Sequence, residues 1–440
     1  MGGVAEAGRG RSRARLSRRH AYAVVLAASV LPRLAVLLHE RGDILSNFTE
    51  KSDDFANTFV HSGTFGFVPG EPSAWTQPLY AVFLIPIYWI FGRAWPAVGL
   101  IQVAVAAATA LIVYETGRRF ISQRAGLVAA VIATLNPYLV WHDVHINREI
   151  LDQLLAAAIV YLTLLTAERT AGRIRELSIG LGVVLALGIL ANTRLLFLPL
   201  VVAGFIAWQR RSILGPAICV GACALALVPW AVRNDVSVGC FTLTTDTKAL
   251  WKANNRETYS TLAAGKWIDD VPNLPGAPPT PELAAAIYRV HHRLISIDEC
   301  AQMRFFRHEA LSFVRNHPAE KAKLAGQAVR MLWDPRALKT AGRPDAGGAI
   351  DDLRTWVQPV YEIALYVLAL IGIFLVPRRV AALILLMLGY QTLVAIGFAG
   401  TTRYRVPWDF TLALAASAAV LHLTARVTTR RGRPRPGAST

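Results

Sequence analysis

Apolar residues in this chain gather into blocks of roughly 14 to 21 positions, close to the ~20 helical residues needed to cross a ~30 Å hydrocarbon core. Short polar turns rich in arginine separate them. Ten blocks read as membrane spans: 21–38, 94–114, 125–141, 150–166, 177–190, 195–208, 213–232, 360–376, 380–398 and 406–423. Another block, 78–91, is apolar but short.

Parity decides how 78–91 is read. Lys and Arg mark the cytoplasmic ends of spans. If 78–91 crossed, the cluster Arg118, Arg119 and Arg124 would fall outside. If it lies in the outer leaflet, every later basic cluster falls inside: Arg169 with Arg173 and Arg175, then Arg210 with Arg211, then Arg378 with Arg379. We therefore expect an interfacial or re-entrant helix there, with both termini cytoplasmic.

The resulting plan has five parts. Residues 1–20 form a basic cytoplasmic tail with no small-residue cleavage pattern ahead of the first span. Residues 21–232 form an N-terminal transmembrane module whose first outer loop is 39–93. Residues 233–357 form an extracytoplasmic, α-rich domain. It opens on alternating β-branched and polar positions (236–243) and continues as amphipathic helices around 281–296 and 301–333. Residues 358–424 hold the last transmembrane helices, and 425–440 form a basic, Pro-containing cytoplasmic tail expected to be disordered. The fold class is an all-α polytopic membrane protein.

Composition narrows this further. The chain is 54% hydrophobic, with a mean hydropathy of +0.39, values that soluble domains rarely sustain. Its formal charge of +17 reads as topology rather than nucleic-acid binding, because no basic face with interleaved aromatics stands apart from the apolar blocks. The richness in Arg and Ala points to a bacterial source and so to the cytoplasmic membrane. Cys219 and Cys223 lie in an apolar block and read as small core residues. Cys240 and Cys300 share the long polar region and can pair if it faces an oxidising compartment; two free thiols are the alternative.

With the topology set, most unusual polar residues fall on one side: tandem Asp53 and Asp54, then His142, Asp143, His145, Asn147, Arg148 and Glu149, then Arg194, then Arg403 to Arg405. Carboxylates and guanidiniums gathered at one surface suit an anionic head group and acid–base chemistry. Each has a plainer reading. Asp53 and Asp54 can simply start a helix, and Glu149 can favour a helix N-terminus. Arg194 and Arg403 can be interfacial side chains that snorkel, and so can Arg33, expected to reach outward from the first span. His142 and His145 flank Asp143 at a spacing able to ligate a divalent metal, with ordinary loop polarity the favoured alternative.

Several stretches together resemble a known group. They are SDDFANTFVHSGTFGF with QPLYAVFLIPIYWIFG, then NREILDQLL, ANTRLLFLPL, PWAVRNDVSVGCF with WKANN, HEALSFVRNHP through LWDP, and RYRVPWDFTLALAA. Their order resembles the GT-C glycosyltransferases that use polyprenyl-phosphate sugars, such as protein O-mannosyltransferases and lipid A aminoarabinose transferases. The resemblance runs from about Arg33 to Ala419. It implies a GT-C-like bundle of about ten transmembrane helices and a polyprenyl-phosphate-linked sugar donor. The acceptor would be a lipid, glycan or protein hydroxyl reached among membrane lipids. It implies a first-loop carboxylate, Asp54 or Asp53, as base in an inverting transfer. Arg194, Arg403 and Arg148 would hold the phosphate, and Glu149 would orient that network or help hold a metal. Asp235 and Lys252 depart from the group's pattern and bear on acceptor and sugar preference. A flippase or transporter is the rival class, although the paired repeats common in transporters are not evident. A polymerase using pyrophosphate-linked glycans is a third.

Overall fold

A computed structural model describes residues 17–46, 50–168, 172–336 and 349–431. Most of both basic tails, Arg169, and 337–348 of the polar region lie outside the described residues. Among the described residues the chain is helical, with one isolated β-bridge, Val68 to Glu71, and no strand.

The first half comprises α1 (Arg18–Glu40), α2 (Lys51–Ser62), α3 (Pro78–Phe91), α4 (Trp95–Phe120), α5 (Gln123–Thr134), α6 (Pro137–His142), α7 (Glu149–Ala167), α8 (Ile174–Ala191), α9 (Leu198–Arg210) and α10 (Leu214–Val238). A polar module follows, with α11 (Lys248–Lys252), α12 (Arg256–Ala263), α13 (Pro281–His291), α14 (Glu299–Asn316) and α15 (Pro318–Leu332). The chain closes with α16 (Ala349–Gly372), α17 (Arg378–Gly397), the single turn α18 (Thr402–Arg405) and α19 (Asp409–Arg431).

Seven segments are long and apolar enough to cross a membrane: Arg18–Leu45, Trp95–Phe120, Glu149–Ala167, Ile174–Ala191, Leu214–Val238, Arg378–Gly397 and Thr402–Val427. This is an integral membrane protein. The other three expected spans are helical but differ in detail. The block 125–141 breaks into α5 and α6 at Asn136, whose side chain accepts from Tyr138 N at 3.0 Å. Pro137 offers no N–H to continue the helix. The helix α9 has 13 residues, about 20 Å of rise. The apolar part of α16 is Trp356–Gly372. At 14 residues, α3 rises only about 21 Å, short of a ~30 Å core. It packs against α2, α4 and α8.

Two expectations for the polar module are refined. Alternation over 236–243 produces no strand: α10 runs through Val238, and irregular chain follows. The long amphipathic run 301–333 is two helices, because Pro318 starts α15 directly after His317.

The bundle packs through small residues. A Cβ placed on Gly117 of α4 would sit 2.5 Å from the Gly126 Cα of α5, so these two backbones touch directly, as small residues permit between membrane helices. One end of the bundle is basic. There Arg18 meets Glu115 at 3.1 Å, and Glu168 takes both Arg119 at 2.8 Å and Arg379 at 3.8 Å. The polar module and the loops bearing Asp53, Arg148, Arg194 and Arg403 share contacts elsewhere, described below.

Arg33 corrects the sequence reading. It does not snorkel. Its side chain is 1% exposed and pairs with Asp143 at 2.7 Å. Its Nη1 also donates to the Ser29 and Thr134 carbonyls, each at 3.0 Å. The pair ties α1 to the turn after α6, with Gln153 of α7 donating to the other Asp143 oxygen at 2.5 Å. Removing one partner of such a pair strands a buried charge. Asp143→Ala is expected to cost about 3–5 kcal/mol, and the double change Arg33→Met with Asp143→Leu much less. Thermal unfolding of the purified variants in one detergent checks this; equal losses would refute it.

Candidate active site

The site begins at the N-terminus of α2, where helix polarity favours carboxylates. Glu50 is the N-cap residue, and Asp53 and Asp54 lie in the first turn. Glu50 and Asp53 are three apart and share a helix face, while Asp54 is turned about 100° from Asp53. That rotation gives the two aspartates different surroundings. Asp53 is buried. Its Oδ1 accepts from Tyr88 Oη at 2.5 Å and Arg93 Nε at 3.0 Å, and its Oδ2 from Arg93 Nη2 at 2.6 Å. Asp54 is 48% exposed and faces Arg289 of α13 at 3.1 Å. Its burial raises the proton affinity of this carboxyl above the ordinary range, against the opposing pull of Arg289.

Beside them Lys51 reaches Glu282 at 2.8 Å and Asp246 at 3.4 Å, over the Trp75 ring. Burial opposes its charge, but Asp246 and Glu282 outweigh this and hold the amine above its usual range. Two ion pairs therefore join the first turn of α2 to α13.

Three loops bring arginines to the same place. Arg403, on α18, lies between Glu50 and Glu149, with Glu149 Oε2 at 3.3 Å. Arg148 donates to Gln77 at 2.8 Å, and Gln77 donates to Thr193 at 3.4 Å. The next residue, Arg194, lies over the Tyr404 ring with its Cζ 3.2 Å from the centroid. The contacts close a ring: Glu50, Arg403, Tyr404, Arg194, Thr193, Gln77, Arg148 and Glu149. Asn192 donates to Asp152 at 3.0 Å on its edge. Arg148 and Arg194 have no carboxylate within ion-pair distance among the described residues. Arg148 Nε and Asp152 Oδ1 are buried with no hydrogen-bond partner. Buried polar atoms are rarely left so. The free Arg148 Nε donor, with two guanidiniums unmatched by carboxylate, suits an anionic ligand.

A sequence profile of dolichyl-phosphate-mannose-protein mannosyltransferases matches residues 74–232, under half of the chain. Among solved structures, the oligosaccharyltransferase of Archaeoglobus fulgidus tethered to an acceptor peptide aligns at 13% identity with TM-score 0.55, covering 95% of this chain and 51% of that one. The same archaeal enzyme, in complex with an inhibitory peptide and a dolichol-phosphate, aligns at 14% identity with TM-score 0.50, covering 96% and 53%. The fold is GT-C. At these identities the likeness is one of fold, and this chain spans about half the length of the archaeal chains. No curated protein matches it by sequence.

Within this frame, the remaining candidates are engaged elsewhere. Asp143 is bound to Arg33. His142 stacks on Tyr138 and His145 on Trp141, each with centroids 3.9 Å apart. His145 Nε2 lies 3.6 Å from Glu40. Among the described residues no group of three His, Cys, Asp or Glu side chains is placed to hold a metal ion. Glu149 faces Arg403 rather than these histidines. Cys240 and Cys300 form a disulfide that joins the segment after α10 to α14.

Sequence reasoning missed Glu50, Lys51, Gln77, Arg93 and Asp246. Glu50 carried a readable signal, standing one helical turn ahead of Asp53. The others are lone polar residues whose partners lie far along the chain.

Arg405 fixes the turn that carries Arg403. It is fully buried, pairs with Glu362 and Asp409 at 3.1 Å each, and donates to the Leu332 and Asp334 carbonyls at 3.0 and 3.1 Å. Just before this turn, Gly400 lies against the Ala328 carbonyl so closely that no Cβ fits. Gly400→Ala is expected to cost about 1–3 kcal/mol by overpacking, whereas Gly389→Ala, in open space on α17, should be neutral or slightly stabilising. Melting curves of the two variants test the contrast; a silent Gly400→Ala would contradict this packing.

Proposed function

We propose that this protein is a membrane glycosyltransferase that moves a sugar from a polyprenyl-phosphate donor to an acceptor hydroxyl. The observation that carries this reading is the ring in which Arg148, Arg194 and Arg403, from three separate loops, gather beside the carboxylates of α2. Support also comes from the mannosyltransferase profile over 74–232 and from the dolichol-phosphate in the complex of the archaeal structure.

In this reading the donor's isoprenoid tail lies among membrane lipids and its phosphate rests against Arg148 and Arg194. Arg403 completes the set while shared between Glu50 and Glu149. The acceptor oxygen attacks the anomeric carbon, and the bond from that carbon to the phosphate oxygen breaks. Its electron pair leaves with the lipid phosphate, where the guanidiniums stabilise it. The hydroxyl proton passes to a first-loop carboxylate. A single displacement of this kind inverts the anomeric centre. Asp54 has lone pairs free to take the proton, and Asp53, held by Tyr88 and Arg93, orients the turn that carries it. The acceptor is a lipid, glycan or protein.

Orientation belongs to the same proposal. The arginine-rich end, with both termini, faces the cytoplasm of a bacterial cell, and the site faces outward. A disulfide in the polar module suits an oxidising compartment.

Two results are expected. Asp54→Asn lowers sugar transfer from a polyprenyl-phosphate sugar in vesicles by about 100-fold, within the range for a lost general base, and Asp53→Asn lowers it too by releasing Tyr88 and Arg93 from the turn. If both keep full activity, the carboxylate assignment fails. Transport of the lipid-linked sugar without transfer would favour the flippase reading. The second concerns pH. A base must be ionised, so activity falls as pH drops through the raised value of Asp54. Arg289→Gln removes the charge that holds this value down, so the acid limb of the rate profile should move to higher pH. An unmoved limb with normal transfer would exclude Asp54 as the base.

A further inference from the structure

A separate cleft lies in the polar module, outside the arginine ring. Its volume is about 490 Å³, within the range of small-ligand sites. Trp251, Phe313 and Leu274 form an apolar floor, and Arg256, Asn273 and Glu309 stand among the polar groups at its rim. The two parts come from four places in the chain: the end of α11, the start of α12, the loop before α13, and the last turns of α14.

The chemistry of this lining narrows the occupant. Arg256 here stands with Glu257 and Glu309, so carboxylates outnumber guanidiniums in the lining, which disfavours a phosphate or an anionic lipid head. An acyl chain would leave the polar rim unsatisfied. Sugar hydroxyls both donate and accept, which matches a rim holding a guanidinium, a carboxamide and carboxylates. The apolar faces of sugar rings match an aromatic floor. The floor is rigid: Trp251 and Phe313 are both largely buried, and Trp251 packs against Phe306 with centroids 5.5 Å apart.

The cleft is also linked to the site. Asp246 binds Lys51 beside the α2 carboxylates through Oδ2, and its Oδ1 accepts from Ala249 N at 3.2 Å in the first turn of α11. Trp251 lies near the other end of that five-residue helix. One short helix therefore carries both contacts.

We propose that this cleft is a glycan subsite that holds the sugars adjoining the acceptor hydroxyl, so that the acceptor is a saccharide chain. The assignment of an acceptor rests on the transferase reading above; the binding of a glycan does not.

The test uses the full chain purified in detergent, without donor. The probes are neutral linear hexasaccharides of mannose, glucose, galactose and arabinose, with a neutral hexapeptide for comparison, titrated by calorimetry. At least one hexasaccharide should bind saturably, and the double change Arg256→Ala with Glu309→Ala should weaken it by about tenfold or more. Both side chains are at the surface of the module, so the variant should fold, and an unchanged melting curve verifies this. Binding of the peptide alone, binding of none of the saccharides, or binding that survives the double change overturns the proposal. In a second arm, the double variant should raise KM for the hexasaccharide acceptor and leave transfer to the matching monosaccharide unchanged. An unchanged KM for both overturns the acceptor role. Saccharide binding that the double change abolishes, in a protein with no transfer at all, upholds the cleft and removes the enzymatic reading instead.

Discussion

The arrangement of the site depends on one buried guanidinium. Arg405 is enclosed by the end of α15 with the turn after it, the middle of α16 and the start of α19, and these supply two carboxylates and two carbonyl oxygens to it. Losing either carboxylate would strand a desolvated charge, so α18 and these three elements are held to one geometry. Two residues earlier, Arg403 inherits that position. Arg403 in turn sets where Glu50 and Glu149 lie, and Tyr404 provides the ring against which Arg194 packs. A membrane protein cannot rely on water exclusion to hold helices together. Satisfying a buried charge is a stronger constraint there than packing alone.

The same logic recurs at Arg33 and Asp143. Gln102 of α4 donates to the carbonyls of Asp143 and His145 at 3.0 and 2.8 Å and accepts from Tyr80 at 2.7 Å. The loop 143–149 is thus pinned from α1, α3 and α4 before it reaches Arg148 and Glu149. Neither residue is placed by its own helix propensity. Each is placed by polar groups that have no alternative partner at that depth. These pinned loops, rather than the long spans, give the site its shape.

How much of this was legible in the sequence follows from range. Hydropathy reads length and apolarity, so blocks such as 94–114 and 380–398 correspond closely to α4 and α17. It cannot separate apolar surface facing lipid from apolar surface facing protein, nor see that Asn136 and Pro137 divide one block in two. The acidic pair and the three arginines were visible because each is unusual where it stands. Their partners were not. Arg33 meets a residue 110 positions away and Glu149 one 254 away. Arg33 read as a snorkelling side chain because a lone arginine near a span end carries no mark of a buried partner. Glu50 was passed over because it stands outside the tandem pair, although it shares a face with Asp53.

The split between Asp53 and Asp54 shows why adjacency in sequence is a poor guide to shared chemistry. A helix turns successive side chains by about 100°. Asp53 is thereby spent on Tyr88 and Arg93, which fasten α2 to α3 and to the turn after it. Asp54 is left facing the polar module, where α13 supplies its counter-charge. The first turn of α2 is then a joint with two sides: one fixed to the membrane bundle, and one joined to the polar module by the pairs Lys51 with Glu282 and Asp54 with Arg289. Side chains in these pairs are 34% to 60% exposed, where ion pairing contributes little net stability. The bundle side of the joint is therefore the rigid one, and the module side is the one that can part at low cost.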